Sequence, residues 1–162
     1  MERALPLRAR WGRALPVVAL GAAIVALDQA TKFVVRANLA VGESFPDWPV
    51  RFTRVNNTGS AFGLFTDQTL FLIVASFVAI GVIIYFYRQL AGVSALLRAS
   101  LGLQLGGAVS NLADRIRDGQ VTDFVDFQFW PVFNVADSSV VIGIGLLAWL
   151  IIVRERGTQS SE

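Results

Sequence analysis

The chain has no cysteine and no histidine among its 162 residues. The first absence excludes disulfides and thiolate catalysis, and the second excludes histidine-based triads and ordinary His-containing zinc sites. Charge is scarce as well, with Asp, Glu, Lys and Arg together making 16% of the residues. Any chemistry therefore falls to carboxylates, ammonium and guanidinium groups, hydroxyls, amides or the backbone, with no cofactor or metal expected.

What fills the chain instead is apolar. Hydrophobic residues make up 54% and the mean hydropathy is +0.58, too high for an ordinary soluble domain, and the apolar residues are gathered into long runs. The net charge of +2 and pI near 9.7 do not point to nucleic acid. The basic residues are scattered along loops, and the aromatic ones sit beside apolar segments.

Four apolar segments can be read. Leu15 to Val35 is the first, broken by Asp28 and Lys32; it starts like a signal peptide but lacks a clear small-residue cleavage site, so it reads as an uncleaved helix with Pro16 in its first turn. Leu70 to Tyr87 carries no formal charge and is the cleanest span. Val93 to Ala113 is less apolar, and its Gly102, Gly106, Gly107 and Ala108 permit close packing, so a span and a buried core helix both remain open. Val135 to Val153 is the fourth. Residues 37–68 read as a small, partly β platform outside the membrane, because VRFTRV at Val50 to Val55 alternates as a strand does and open strand edges are not tolerated in hydrocarbon.

The expected fold is thus an all-α polytopic membrane protein with four transmembrane helices. Residues 15–153 form one domain including the platform, between a cytoplasmic head, 1–14, and a cytoplasmic tail, 154–162. Orientation follows from charge. The termini and the link between the second and third segments hold eight basic residues against three acidic ones, and the opposite side holds six against nine. Basic residues favour the cytoplasm, which puts both termini there and the acidic stretches outside.

This topology brings distant polar residues to one depth. Asp28 and Lys32 share a helix face at i and i+4, and read either as a helix salt bridge or as support for a site. Asn56 opens a turn in the platform. Asn111, Asp114 and Arg115 end the third segment, where Asp114 and Arg115 form either a local ion pair or part of a site. Asn134 suits the cap of the fourth helix, with Asp137 at its third position. Phe124, Phe127, Phe129, Trp130 and Phe133 belong to an interfacial wall or to the apolar rim of a substrate site.

Asp123 and Asp137 are the strongest chemical pair among these. If folding brings them together, repulsion and burial favour one protonated and one ionised carboxyl, the arrangement that aspartic peptidases use. A small ion-coupled transporter or a structural membrane assembly factor would also account for carboxylates within apolar segments.

The motifs DQATK at Asp28 to Lys32, NNTGSAFG at Asn56 to Gly63, GGAVSNLADR at Gly106 to Arg115, VTDFVDF at Val121 to Phe127 and FNVAD at Phe133 to Asp137 occur in an order that closely resembles the lipoprotein signal peptidase, or signal peptidase II, family. The resemblance runs from about Leu15 to Val153. One departure is Ser110, where the family commonly has Gly. The resemblance implies that Asp123 and Asp137 are catalytic and that Asp28, Lys32, Asn56, Asn111, Asp114, Arg115 and Asn134 support them. It also implies an enzyme of the bacterial inner membrane that acts as a monomer among membrane lipids. Such an enzyme cuts diacylglyceryl-modified prolipoproteins before the lipidated cysteine, and the cyclic peptide globomycin is expected in the same pocket.

Overall fold

A computed structural model describes residues 7–59, 69–90 and 94–159, with side chains described over 14–59, 69–89 and 94–153. The elements in chain order are α1 (Leu7–Asn38), β1 (Ser44–Phe45), β2 (Arg51–Asn57), α2 (Thr69–Leu90), α3 (Ala95–Asp118), β3 (Val121–Asp126) and α4 (Val135–Gln159). Among the described residues, three stretches are long and apolar enough to cross a membrane: Ala14–Asn38, Thr69–Gln89 and Val135–Val153. Pro16 lies inside α1 and not in its first turn, because the helix begins upstream of the apolar run.

The helix α3 does not qualify as a span on composition, and its position gives the reason. It packs against α1, α2 and α4, so its polar residues face other helices where hydropathy counts them as a liability. Small residues set the distance. A Cβ on Gly106 would lie 2.7 Å from the carbonyl oxygen of Gly21 on α1, and one on Gly107 would lie 2.4 Å from that of Ala136 on α4. Neither backbone could approach so closely past a larger residue. Ser100 adds a buried hydrogen bond, its Oγ donating to the Gly143 carbonyl at 2.7 Å. α2, whose one charged residue is Arg88 in its last turn, touches only α3 among the described elements, and none of its most apolar window is buried inside the protein.

α3 runs past Ala113 for more than a turn and ends at Gly119, a left-handed residue whose N–H caps the Arg115 carbonyl. Immediately beyond it the chain forms β3, a strand outside the 37–68 platform expected from the sequence. β3 pairs antiparallel with β2, which pairs antiparallel with β1. Phe52 faces Val125, but Val55 faces Asp123, so β2 carries one extra residue between these points. This bulge reverses which β2 residues share a face with Asp123. Phe124 points into the protein, buried and tilted against Phe52 with ring centroids 6.3 Å apart, and so is not part of an exposed wall.

Candidate active site

The C-terminal ends of α1 and α3 and the N-terminal end of α4 converge with β3 on a polar cluster enclosed by apolar helices. Lys32 is its buried cation. Its Nζ lies 2.7 Å from Asp28 Oδ2, 2.6 Å from Asp114 Oδ2 and 2.9 Å from Asn111 Oδ1. Three donors thus meet three acceptors, which is the condition for burying an ammonium. All three of Asp28, Lys32 and Asp114 are fully buried.

Asp28 does more than neutralise the lysine. Its Oδ1 accepts the Ala136 backbone N–H at 2.9 Å, one of the free donors in the first turn of α4. Its Oδ2 accepts the Ser110 hydroxyl at 2.7 Å. Serine at the position where glycine was expected is therefore accommodated without loss of packing and adds a link from α3 to α1. Gln29, which the motif reading passed over, donates to Ser110 Oγ at 3.0 Å and to Asp114 Oδ1 at 2.9 Å. It sits one turn before Lys32, on the side of α1 that faces α3.

Asn134 caps α4 as expected. Its Oδ1 accepts the Asp137 N–H at 2.8 Å, and Asp137 Oδ2 reaches back to the Asn134 N–H at 3.3 Å, a reciprocal box. Because the backbone N–H fixes the amide oxygen, the Asn134 Nδ2 must face away, and it donates to Asp123 Oδ1 at 2.6 Å. Asn111 joins both groups: its Nδ2 donates to Asp137 Oδ1 at 2.8 Å, and its Oδ1 accepts from Lys32 and, at 3.2 Å, from Asn134.

The platform supplies the remaining amide, and it is Asn57. Its Nδ2 donates to Asp123 Oδ2 at 2.8 Å, and its Oδ1 accepts the Gly59 N–H at 2.8 Å, which fixes the amide the same way. Gly59 has φ +89, and a Cβ there would collide with Leu72 on α2. Asn56, the expected supporting residue, pairs in register with Thr122 on the other face of the sheet. The bulge in β2 thus gives the face of Asp123 to Asn57.

The two carboxyls expected to be catalytic are thus adjacent in one network, each held by amides. Burial pushes the Asp123 carboxyl up to about 6; the hydrogen bonds from Asn57 and Asn134 and the charge of Lys32 oppose the rise, while the charge of Asp137 adds to it. Asp126, on the same strand, behaves oppositely. Hydrogen bonds from Thr53 at 2.6 Å, Arg51 at 2.9 Å and the Gln128 N–H hold it below the usual carboxylate range. It joins the platform together and is not poised for proton transfer.

Arg115 makes no ion pair with Asp114 among the described residues; the helical pair to Asp114 comes from Arg117 at 3.5 Å. Its charge acts instead on Asp137, Asp123 and Asp114 together, and its Nε is buried without a hydrogen-bond partner. Against Asp137 opens an apolar cavity of about 520 Å³, walled by Phe127, Trp130, Phe133, Val141 and Ile142. The aromatic residues other than Phe124 therefore form a rim beside the carboxyl pair.

The chain matches the signal peptidase II (peptidase A8) family over residues 20–153. It is 43% identical over 151 residues to the lipoprotein signal peptidase of Moorella thermoacetica, covering 91% of this chain and 99% of that protein. The lipoprotein signal peptidase of Halothermothrix orenii is 44% identical over 126 residues, 76% of this chain and 86% of its own. Among solved structures, a bacterial membrane enzyme determined by the in meso method at 2.3 Å resolution superposes with a TM-score of 0.78 at 27% identity, covering 91% of this chain and 92% of that one. The transporter and assembly-factor readings gain no support from these relatives. With the match spanning the helices, the platform and every residue of the carboxyl network, the chain belongs to the signal peptidase II family of membrane proteases.

Proposed function

We propose that the protein is an aspartic endopeptidase that removes the signal peptide from diacylglyceryl-modified prolipoproteins by cutting before the lipidated cysteine. The observation that carries the aspartic mechanism is the contrast in counter-charge: Asp28 and Asp114 are paired with Lys32, whereas among the described residues Asp123 and Asp137 are hydrogen-bonded only by amides. Two buried neighbouring carboxyls with no cation in contact share a proton. The ionised member takes a proton from water as its oxygen attacks the scissile carbonyl carbon. The protonated member gives its proton to the carbonyl oxygen. Collapse of the tetrahedral intermediate returns that proton and transfers the first one to the departing nitrogen, which frees the amino group of the lipidated cysteine.

Arg115 and Asn111 support this pair by orienting the substrate backbone and Asp137, and Lys32 holds Asn111 in place. The cavity of about 520 Å³ beside Asp137 takes an apolar part of the substrate next to the scissile bond, and its aromatic rim suits the diacylglyceryl group. A globomycin-type cyclic peptide is expected across the same opening.

The topology proposed is four crossings. α3 has 24 residues, which at 1.5 Å per residue reach roughly 36 Å, enough for a hydrocarbon core of about 30 Å. Both termini then lie in the cytoplasm and the carboxyl pair lies near the outer face of the bacterial inner membrane. The region 15–153 acts as one domain and as a monomer.

The test is a purified wild type, Asp123→Asn and Asp137→Asn incubated with a defined diacylglyceryl-prolipoprotein, with and without a chelator, followed by mass mapping. A cut before the lipidated cysteine that resists chelation and disappears in both folded variants is expected. Near-normal turnover in either folded variant overturns the pair.

A further inference from the structure

Behind the sheet, on the face opposite Asp123, lies a second cavity of about 570 Å³. Its charged lining is Arg36, Arg54 and Arg117 against the single carboxylate Asp118. Asn56, displaced from the active site by the bulge, opens into it, and so does the exposed Phe33. Nothing in the cleavage reaction uses these residues.

The arginines are held in place but not used up. Arg36 donates to Thr122 Oγ1 at 3.2 Å and lies 3.7 Å from Asp118. Arg54 donates through one terminal nitrogen to the Arg36 and Leu39 carbonyls at the end of α1, at 3.2 and 2.9 Å, while its Nε is buried and has no hydrogen-bond partner among the described residues. Arg117 grips Asp118 at 2.6 Å and remains largely exposed. Three guanidinium groups thus face one carboxylate in the cavity, with Asp114, already bound to Lys32, a more distant partner of Arg117 at 3.5 Å, and a buried N–H donor stays open. Such a donor normally has a partner.

The depth of the cavity selects the partner. Arg36 is in the last turn of the apolar span Ala14–Asn38, and Phe33 is one turn deeper on the lipid side. An aromatic ring at the hydrocarbon edge with guanidiniums one turn above it is the spacing of a phospholipid, acyl chain below and phosphate above. Guanidinium groups also bind phosphate oxygens through paired hydrogen bonds. We infer that Arg36, Arg54 and Arg117 form a binding site for the phosphate of an anionic phospholipid, separate from the peptidase site. The inference rests on the end of α1 lying at a membrane surface, whichever surface that is, and does not depend on the cleavage reaction.

The test uses the full chain in phosphatidylcholine nanodiscs with and without phosphatidylglycerol, and in detergent with inorganic phosphate alone, measured by thermal unfolding and by native mass spectrometry of retained lipid. Phosphatidylglycerol is expected to raise the unfolding temperature and to co-purify, and inorganic phosphate at equal concentration is not. Arg36→Gln and Arg117→Gln should each weaken lipid retention about fivefold, the factor one basic side chain supplies at an anionic surface. Arg51→Gln, a charge change at a residue that pairs with Asp126 instead, should leave retention unchanged. Arg54→Gln also removes a helix cap, so the two exposed-side variants carry the test if it fails to fold. Equal stabilisation by inorganic phosphate, equal retention in Arg36→Gln and Arg117→Gln, or an equal loss in Arg51→Gln would each overturn the lipid site.

Discussion

Two pairs of aspartates lie within one hydrogen-bonded cluster and differ in a single respect. Asp28 and Asp114 enclose an ammonium group, and their remaining lone pairs take N–H and O–H donors from α1, α3 and α4. Among the described residues, Asp123 and Asp137 receive only neutral amide donors. A carboxylate bound to a fixed cation is a fastener, since its oxygens are taken up by the contact. A carboxylate held by amides alone keeps its direction but not its charge state. Asn111 joins the two pairs, so the first positions the second.

The comparison is broken most severely by removing the pair without a cation. Asp123→Asn and Asp137→Asn should each lower cleavage by roughly 10³-fold or more, the upper range for general acid–base groups, with membrane insertion and helical content retained. The double variant should lose little more than either single one, because the pair acts as a unit. Turnover of lipidated substrate beside circular dichroism checks both statements.

Removing the cation should have the opposite character. Lys32→Ala leaves two buried carboxylates facing each other, a cost of about 3–5 kcal/mol, so loss of folded protein precedes any specific loss of activity. Lys32→Ala combined with Asp114→Asn should recover part of that stability. Unfolding in detergent by intrinsic fluorescence would show it, and no recovery would mean that Asp114 is not the charge Lys32 offsets.

The two faces of the sheet give a smaller and sharper contrast. Asn57→Ala removes a donor that stabilises ionised Asp123, so the pH–activity profile should move to higher pH and turnover should fall by about tenfold. Asn56→Ala should leave the profile in place. The same carboxyl sets a stability trend. Its folded value near 6 stands above its ordinary value of 3.8, so its contribution is full below about 3.8 and is lost as the pH rises through about 6. Asp123→Asn should therefore flatten the fall in stability across that interval, which thermal unfolding at several pH values would reveal.

The smallest effect expected is at Ser110. Ser110→Gly deletes the buried hydrogen bond to Asp28 and the one accepted from Gln29 while preserving the close helix contact, and should cost about 1–2 kcal/mol with cleavage almost unchanged.

Much of this was legible in the chain before folding. The apolar runs fixed the helices, since backbone groups in hydrocarbon have few other solutions. The concentration of carboxylates at the ends of those runs located the polar cluster, and the Asn134 to Asp137 spacing announced the cap of α4. Periodicity reaches no further than neighbours in sequence. That Lys32 serves Asp114 as well as Asp28 depends on α1 and α3 approaching through Gly21 and Gly106, a contact between residues 85 positions apart. That Asn57 rather than Asn56 meets Asp123 depends on one extra residue in β2, and either asparagine reads equally well in a flat strand. Sequence by itself determined which residues are polar inside a membrane-spanning chain. Tertiary structure alone decided which of their charges are neutralised, because neutralisation is a matter of distances of about 3 Å between elements that the sequence keeps far apart.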